Sequence, residues 1–458
     1  MRNKGKILSG KSLLPEKIVL PLLVLAVLII LYLTYGYFIP EKEEVPVKAD
    51  IIVTKNQTIT VTEAGTGIVI YNGTNDHEAI RKAVSAIDQG IVLFDGGNYK
   101  VASSIVLNSG ITVIGKDCTI TGHSVFRISD AADVTVKGFD FSNPDENYGR
   151  HSGTKSIIEI TNSRDCQILE NTFRNFGDYG LYVSTLSPLH HSTRITIKDN
   201  QFLDYGYCGI MIGKQASQIF VEGNLFRDIN TRKINPNSYG VALAKGSSTY
   251  RYSEYIYIRN NVVENNPMWE GIDSHGANHV YILDNTITDC RIPISVAQIN
   301  SDNLYPEPVH NVTIKGNYIK GNMSATKQDS GIYVIGGRGS GGLIQPYRDI
   351  IISGNTVSDV NNWLHSNDGG IVLMNVDGAR VFGNRISNVG GTGINLAGAN
   401  NVQVYDNDIK KLVRISKPIY GISVSQAKDS YIIDIRDNTI DIRKNCIYYD
   451  ADYAFTHK

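Results

Sequence analysis

Residues 261–298 read NVVENNPMWEGIDSHGANHVYILDNTITDCRIPISVAQ. Two short phrases occur in this stretch twice. The first is an asparagine with an apolar residue two positions on, at Asn261 and again at Asn285, a spacing of 24 residues. The second is a small residue opening an alternating apolar run, GIDS from Gly271 and PISV from Pro293. A strand of three to five residues, a turn and another short strand fit between them, with no room for a helix.

Outward from this stretch the same phrases continue. The asparagine recurs at Asn171, Asn200, Asn224, Asn317, Asn355, Asn384, Asn407 and Asn438. The second phrase reads GLYV at Gly180, GIMI at Gly209, GVAL at Gly240, GIYV at Gly331, GIVL at Gly370, GINL at Gly393, GISV at Gly421 and CIYY at Cys446. Self-similarity at this period describes an all-β solenoid, each coil giving three short strands to three parallel sheets. The asparagines are expected to stack coil on coil, each amide bonding to the next. One helix is expected, at 76–88: Asn75 with Glu78 makes a capping pattern, and Ala79, Ile80, Ala83, Val84 and Ile87 form an apolar stripe. It would cap the open strand edge of the solenoid.

The first residues are different in kind. Ile18 to Ile39 is a run of 22 without a charge, preceded by Arg2, Lys4, Lys6, Lys11 and Lys17 and followed by Glu41, Glu43 and Glu44. At about 1.5 Å per residue it spans a bilayer core of about 30 Å. The charge asymmetry puts residues 1–17 in the cytoplasm, a transmembrane anchor at 18–39 and the remainder outside the cell membrane. A cleaved signal peptide is the rival reading, but its apolar core is shorter. Residues 40–64 read as a linker and first strand region, and 65–458 as the β-helix domain.

Composition narrows the function. Lys+Arg number 44 and Asp+Glu 45, so the basic excess of a nucleic-acid binder is lacking. The five cysteines are scattered without a CxxC pair, which excludes a zinc ribbon or a dense disulfide framework.

The stretch from Asn75 through IVLFDGGNYKV and SSIVLNSGITVIG into the Asn/Gly coils resembles pectate-lyase-like right-handed parallel β-helix proteins. The resemblance covers about residues 65–455. It implies the fold. It leaves function open, since lyases, hydrolases, epimerases and non-enzymatic adhesins share that fold.

A repeat supplies its own control. Counted from the small residue of the second phrase, positions +1 and +3 are apolar and read as inward, while 0, +2 and +4 read as outward. Along +2 the residues are Tyr182, Met211, Ala242, Asp273, Ser295 and Tyr333; along +4 they are Ser184, Gly213, Ala244, His275, Ala297 and Ile335. One coil alone sets a carboxylate beside an imidazole. Lys214 and Lys245 precede it at +5, and Arg291 and Gln298 follow on the next coil. Coils stack about 4.8 Å apart, so Lys245 is expected within reach of Asp273 or His275.

Such a group suits removal of the proton next to a uronate carboxylate. His275 would be the base and Asp273 its orienting partner, with Lys245 and Arg291 neutralising the carboxylate as charge develops. The frame aromatic-G-x-D-P-H is similar to that of mannuronan/alginate C-5-epimerases and related lyases, which implies C-5 epimerisation or elimination on an acidic polysaccharide. Ser274 stands where that frame has Pro and Glu270 where it has Tyr, leaving Glu270 or Tyr239 as proton donor. Trp269, Tyr182, Tyr305 and Tyr250 are candidates for stacking on sugar, with Lys214 and Gln298 as further contacts. Inserts near 185–192, 226–238, 245–253, 299–308 and 336–348 would wall this face.

Two other readings stay open. A hydrolase needs paired carboxylates; Asp178, Asp329 and Asp368 share position -2 but on distant coils, and strict alternation sends Glu270 and Asp273 to opposite sides. A non-catalytic surface protein would bind cell-envelope glycan or serve as envelope structure. No cofactor is required. Some lyases of this fold use calcium, but no metal-ligand spacing occurs, and His190-His191 reads as a solvated pair.

Overall fold

The computed structural model describes residues 47–143, 156–233, 235–247, 249–297, 307–323, 329–338, 344–361, 369–413, 420–426, 431–442 and 447–449. The expected membrane anchor at 18–39 lies outside the described residues, as do Gln298, Tyr305, Asp368 and Cys446. No helix among the described residues is long and apolar enough to cross a membrane.

From Gly90 onward the chain winds through short strands that pair in parallel with the equivalent strands one coil away. In the coil around Gly271 the three ladders run Tyr257↔Tyr281, Val263↔Ile287 and Ile272↔Ile294. Every other side chain points inward, and Ile256, Ile258, Val263, Ile272, Val280 and Ile282 are fully buried. Each such side chain contributes about 1.5–3 kcal/mol relative to exposure. Inside, Phe141, Phe173, Phe202 and Phe226 stack at 5.1, 4.7 and 4.9 Å between successive centroids.

The asparagine ladder is continuous. From Asn171 to Asn438 each Nδ2 donates to Oδ1 of the next asparagine, as in Asn224→Asn261 and Asn261→Asn285, both at 3.0 Å. The same Nδ2 also donates to a backbone carbonyl one coil back, Val221 O for Asn261, at 2.9 Å. The oxygen of Asn261 in turn accepts the backbone N–H of Asn224 at 2.9 Å. Every polar atom of these buried amides is thereby used, which a buried amide requires.

The helix is present at Asp76–Val84, with Asn75 Oδ1 accepting the Glu78 N–H at 3.1 Å. It buries Ala79, Ile80, Ala83 and Val84. It stops four residues before the expected end, since 88 - 84 = 4, because the chain must turn at Ser85 to enter the strand that starts at Gly90. Ahead of it, Ile51–Lys55, Ile59–Glu63 and Val69–Gly73 form an antiparallel meander, and Ile51–Lys55 also pairs in parallel with Gly90–Lys100.

Candidate functional site

The strand Val262–Ser274 carries the distinctive coil. Its register sets Asp273 between Ala242 on one side and Ser295 on the other, and Glu270 between Tyr239 and Ile292. The stacking order expected along the +2 column is therefore present.

The directions of the side chains require a correction. A Cβ on Gly271 would lie 3.1 Å from Ile287 Cγ2, 3.3 Å from Cys290 Sγ and 2.7 Å from Pro293 O. Gly271 thus faces the core, not outward. With Ile272 also inward, the alternation slips by one at the glycine, and position -1 joins +2 on the outer face. Tyr179, Cys208 and Tyr239, at -1, pack there with Met211 and Ala242, at +2. Glu270 and Asp273 consequently share a face. Burial raises the pKa of Glu270 and Tyr239, and Asp273 adds to both, Glu270 to that of Tyr239.

The outer face is also more enclosed than a bare sheet. A second apolar layer of Tyr179, Tyr207, Cys208, Met211, Tyr239 and Ala242 covers it, with Tyr182 and Trp269 at its margin. Asp273 is not a surface residue; its side chain is 0% exposed, while that of His275 is 39% exposed. His275 Nε2 lies 3.0 Å from Asp273 Oδ2, and Nδ1 lies 3.3 Å from Ala297 O. Tyr239 meets the imidazole edge-on at 6.2 Å.

Burial governs the protonation of this network. Desolvation pushes the Asp273 carboxyl well above the carboxylate range, and it does the same to Glu270, with the charge of Asp273 adding to it. The Ser295 hydroxyl approaches both and opposes the shift. Neither oxygen of Asp273, nor Glu270 Oε2, has a well-formed hydrogen bond among the described residues, so the 3.0 Å approach of His275 Nε2 to Oδ2 is a close contact rather than an aligned bond. Tyr239 is held protonated, chiefly by burial and then by the charges of Asp273 and Glu270.

The expected cations are arranged differently. Arg291 Nε lies 3.1 Å from Asp329 Oδ2, and its guanidinium sits 4.6 Å above the Trp269 ring. It is engaged already, and it covers one face of the indole expected to stack on sugar. Lys245 is exposed and forms no ion pair with Asp273 or His275 among the described residues. An exposed ammonium gains more from water than from a neutral buried acid. Lys214 lies 5.6 Å from the Tyr250 ring centroid instead. Tyr182 stacks on Tyr179 at 5.3 Å.

Two inserts do meet beside this face. The Tyr250 hydroxyl donates to Leu186 O at 3.1 Å, and Gln215 Nε2 donates to Pro188 O at 2.7 Å. The histidine pair between them is split: His190 Nδ1 lies 3.6 Å from Asp130 Oδ1, whereas His191 Nδ1 lies 3.3 Å from Gln215 O. Among the described residues no three His, Cys, Asp or Glu side chains come together as metal ligands.

This architecture is a right-handed parallel β-helix, and the comparisons with known proteins agree. Residues 304–457 match the family described as right handed beta helix region, and residues 116–305 match periplasmic copper-binding protein (NosD). Among solved structures, the surface adhesin PfbA of Streptococcus pneumoniae is similar with a TM-score of 0.55 at 16% identity, over 75% of this chain and 89% of that one. The periplasmic alginate epimerase AlgG is similar with a TM-score of 0.52 at 12% identity, over 79% and 88%. The PL6 family alginate lyase AlyGC gives 0.57 at 15%, over 82% of this chain but only 53% of its own. No curated protein sequence matches the chain. At these identities the likeness is one of fold, and the pectate-lyase-like superfamily resemblance read from the sequence is met.

Proposed function

We propose that this chain is an extracytoplasmic polysaccharide-modifying enzyme that moves the C-5 proton of uronate residues. The observation that carries this reading is the pairing of half-exposed His275 with fully buried Asp273, 3.0 Å away. Of the ionisable group His275, Asp273, Glu270 and Tyr239, the imidazole is the one that reaches solvent.

With Nδ1 against Ala297 O, which can only accept, a neutral imidazole carries its proton on Nδ1 and has its lone pair on Nε2, beside Asp273. That nitrogen takes the proton from C-5, and the electron pair moves into the adjoining carboxylate group. Burial makes Glu270 and Asp273 harder to ionise than free carboxyls, so they repel a uronate less. Two outcomes follow from one intermediate. Return of a proton to the opposite face of C-5 gives the epimer. Expulsion of the 4-linked sugar gives a C4–C5 double bond. The periplasmic description of the NosD family and the adhesin and alginate-enzyme likenesses support an extracytoplasmic, glycan-directed role.

Hydrolysis is the second reading, favoured by the shared face of Glu270 and Asp273. It requires one of them ionised, which burial disfavours for both.

The test offers the full chain alginate, polygalacturonate and glucuronan in deuterated water. C-5 deuterium uptake identifies epimerisation, ultraviolet absorbance of an unsaturated product identifies elimination, and new reducing ends without absorbance identify hydrolysis. Either of the first two, lost in His275→Ala, is expected. Silence on all three polymers with retained glycan binding would move the assignment to a non-catalytic surface protein.

A further inference from the structure

A second groove lies on a different sheet. Its volume is about 720 Å³, and it runs over six successive strands, from the coil of Tyr281 to that of Asp434. None of its lining residues belongs to the His275 face.

One end is an aromatic ladder that stops abruptly. Phe220, Tyr257 and Tyr281 occupy one column of paired positions, with ring centroids 5.1 and 4.8 Å apart and planes within 8° and 9° of parallel. The next position in the column is Thr313. One face of the Tyr281 ring is covered by Tyr257, and the other looks along the groove over a threonine. The place where a fourth ring would stack is open.

The groove beyond is mixed: Ile351 follows Thr313 in the column, and polar side chains come after it. Arg380 and Gln403 follow in the same column and are exposed, and Asn401 and Asp349 are exposed in the adjacent column. The formal charges lining it are Arg380, Asp349 and Asp434, and Asp434 is already bound by Arg436 at 3.1 Å. One cation and one anion remain, so the groove has no bias toward a charged ligand. An uncovered aromatic face followed by amides, a guanidinium and a carboxylate is a surface for a ring that is apolar on its flat face and hydroxylated at its edge.

The geometry points to a second, non-catalytic binding site for a neutral oligosaccharide, one pyranose stacking on Tyr281 above Thr313, a following one lying over Ile351 toward Arg380, and a more distant one, four strands on, bonding to Gln403 and Asn401. This site does not depend on the chemistry assigned to His275. It would let the molecule hold one glycan while acting on another.

Calorimetric titration of the full chain with cello-, malto-, laminari- and chito-hexaose tests it. At least one is expected to bind, equally well in His275→Ala, and about tenfold more weakly in Tyr281→Ala, with Tyr281→Phe retaining affinity. Thr313→Trp fills the open stacking position and is expected to block binding while raising the melting temperature, which separates occlusion from misfolding. Failure of all four sugars to bind overturns the proposal. So does binding that survives both Tyr281→Ala and Thr313→Trp.

Discussion

His275 Nε2 and Asp273 Oδ2 lie 3.0 Å apart, with the imidazole half in solvent and the carboxyl wholly out of it. Asp273 Oδ2 sits at one ring nitrogen and Ala297 O, 3.3 Å from Nδ1, at the other, so both ends of the imidazole are held. Asp273 is thus a positioning residue for His275 rather than a group that meets the substrate. Loss of the base in His275→Ala is expected to lower C-5 exchange by about 10²–10⁴-fold. Asp273→Asn is expected to lower it too and to alter the pH–rate profile, which a purely structural role would leave unmoved.

The stability of the folded chain should fall as pH rises past the ordinary carboxylate range. Burial raises the pKa values of Glu270 and Asp273, so over the window between unfolded and folded values the native state binds more protons than the unfolded state. The contribution is complete below the unfolded values and is lost as pH climbs through the folded ones. Glu270→Gln and Asp273→Asn remove the ionisable group and are expected to flatten the melting temperature against pH. A wild-type-like slope in both variants would contradict the assignment.

Gly271 is required for the shared face. A methyl group there would meet Pro293 O at 2.7 Å and Ile287 at 3.1 Å. Gly271→Ala is expected to destabilise the chain by about 1–3 kcal/mol through overpacking. It should also lose activity in excess of the folded fraction, as Glu270 and Asp273 are forced apart. Melting followed by the exchange assay distinguishes the two effects.

The asparagine ladder should fail at a single cut. Asn261→Ala removes the acceptor for Asn224 Nδ2 and for the Asn224 N–H, and the donor to Asn285 and Val221 O. Each orphaned buried group costs about 1–3 kcal/mol. Urea unfolding is expected to show a lower midpoint and, because coils contact only their neighbours, a second transition.

The ladder and the parallel strands were legible in the primary structure because every coil repeats the same local problem. Asn171 through Asn438 need a partner at one coil's distance, and the repeat brings it there. The same comparison between the coils from Gly180 onward singled out Asp273 and His275, where a neutral column acquires charge. The direction of Glu270 was not legible. Strict alternation sends it inward, and only contact between Gly271 and the core makes the strand break step. The partners of Arg291 and Lys214 were equally hidden, because their long side chains can reach several neighbours. The Tyr281 groove was missed for another reason: its residues look ordinary coil by coil, and the open ring face exists only because Thr313 follows Tyr281 one coil later in space.

By itself, the amino-acid sequence determined the architecture, the stacking register and the identity of the unusual coil. These depend on periodicity, and periodicity is a property of residue order. The tertiary structure decided which side chains share a face, which charges are already paired and which carboxyls are sealed from water. Those outcomes depend on packing in three dimensions, where one glycine pressed against Ile287 and Cys290 turns Glu270 to the side of Asp273.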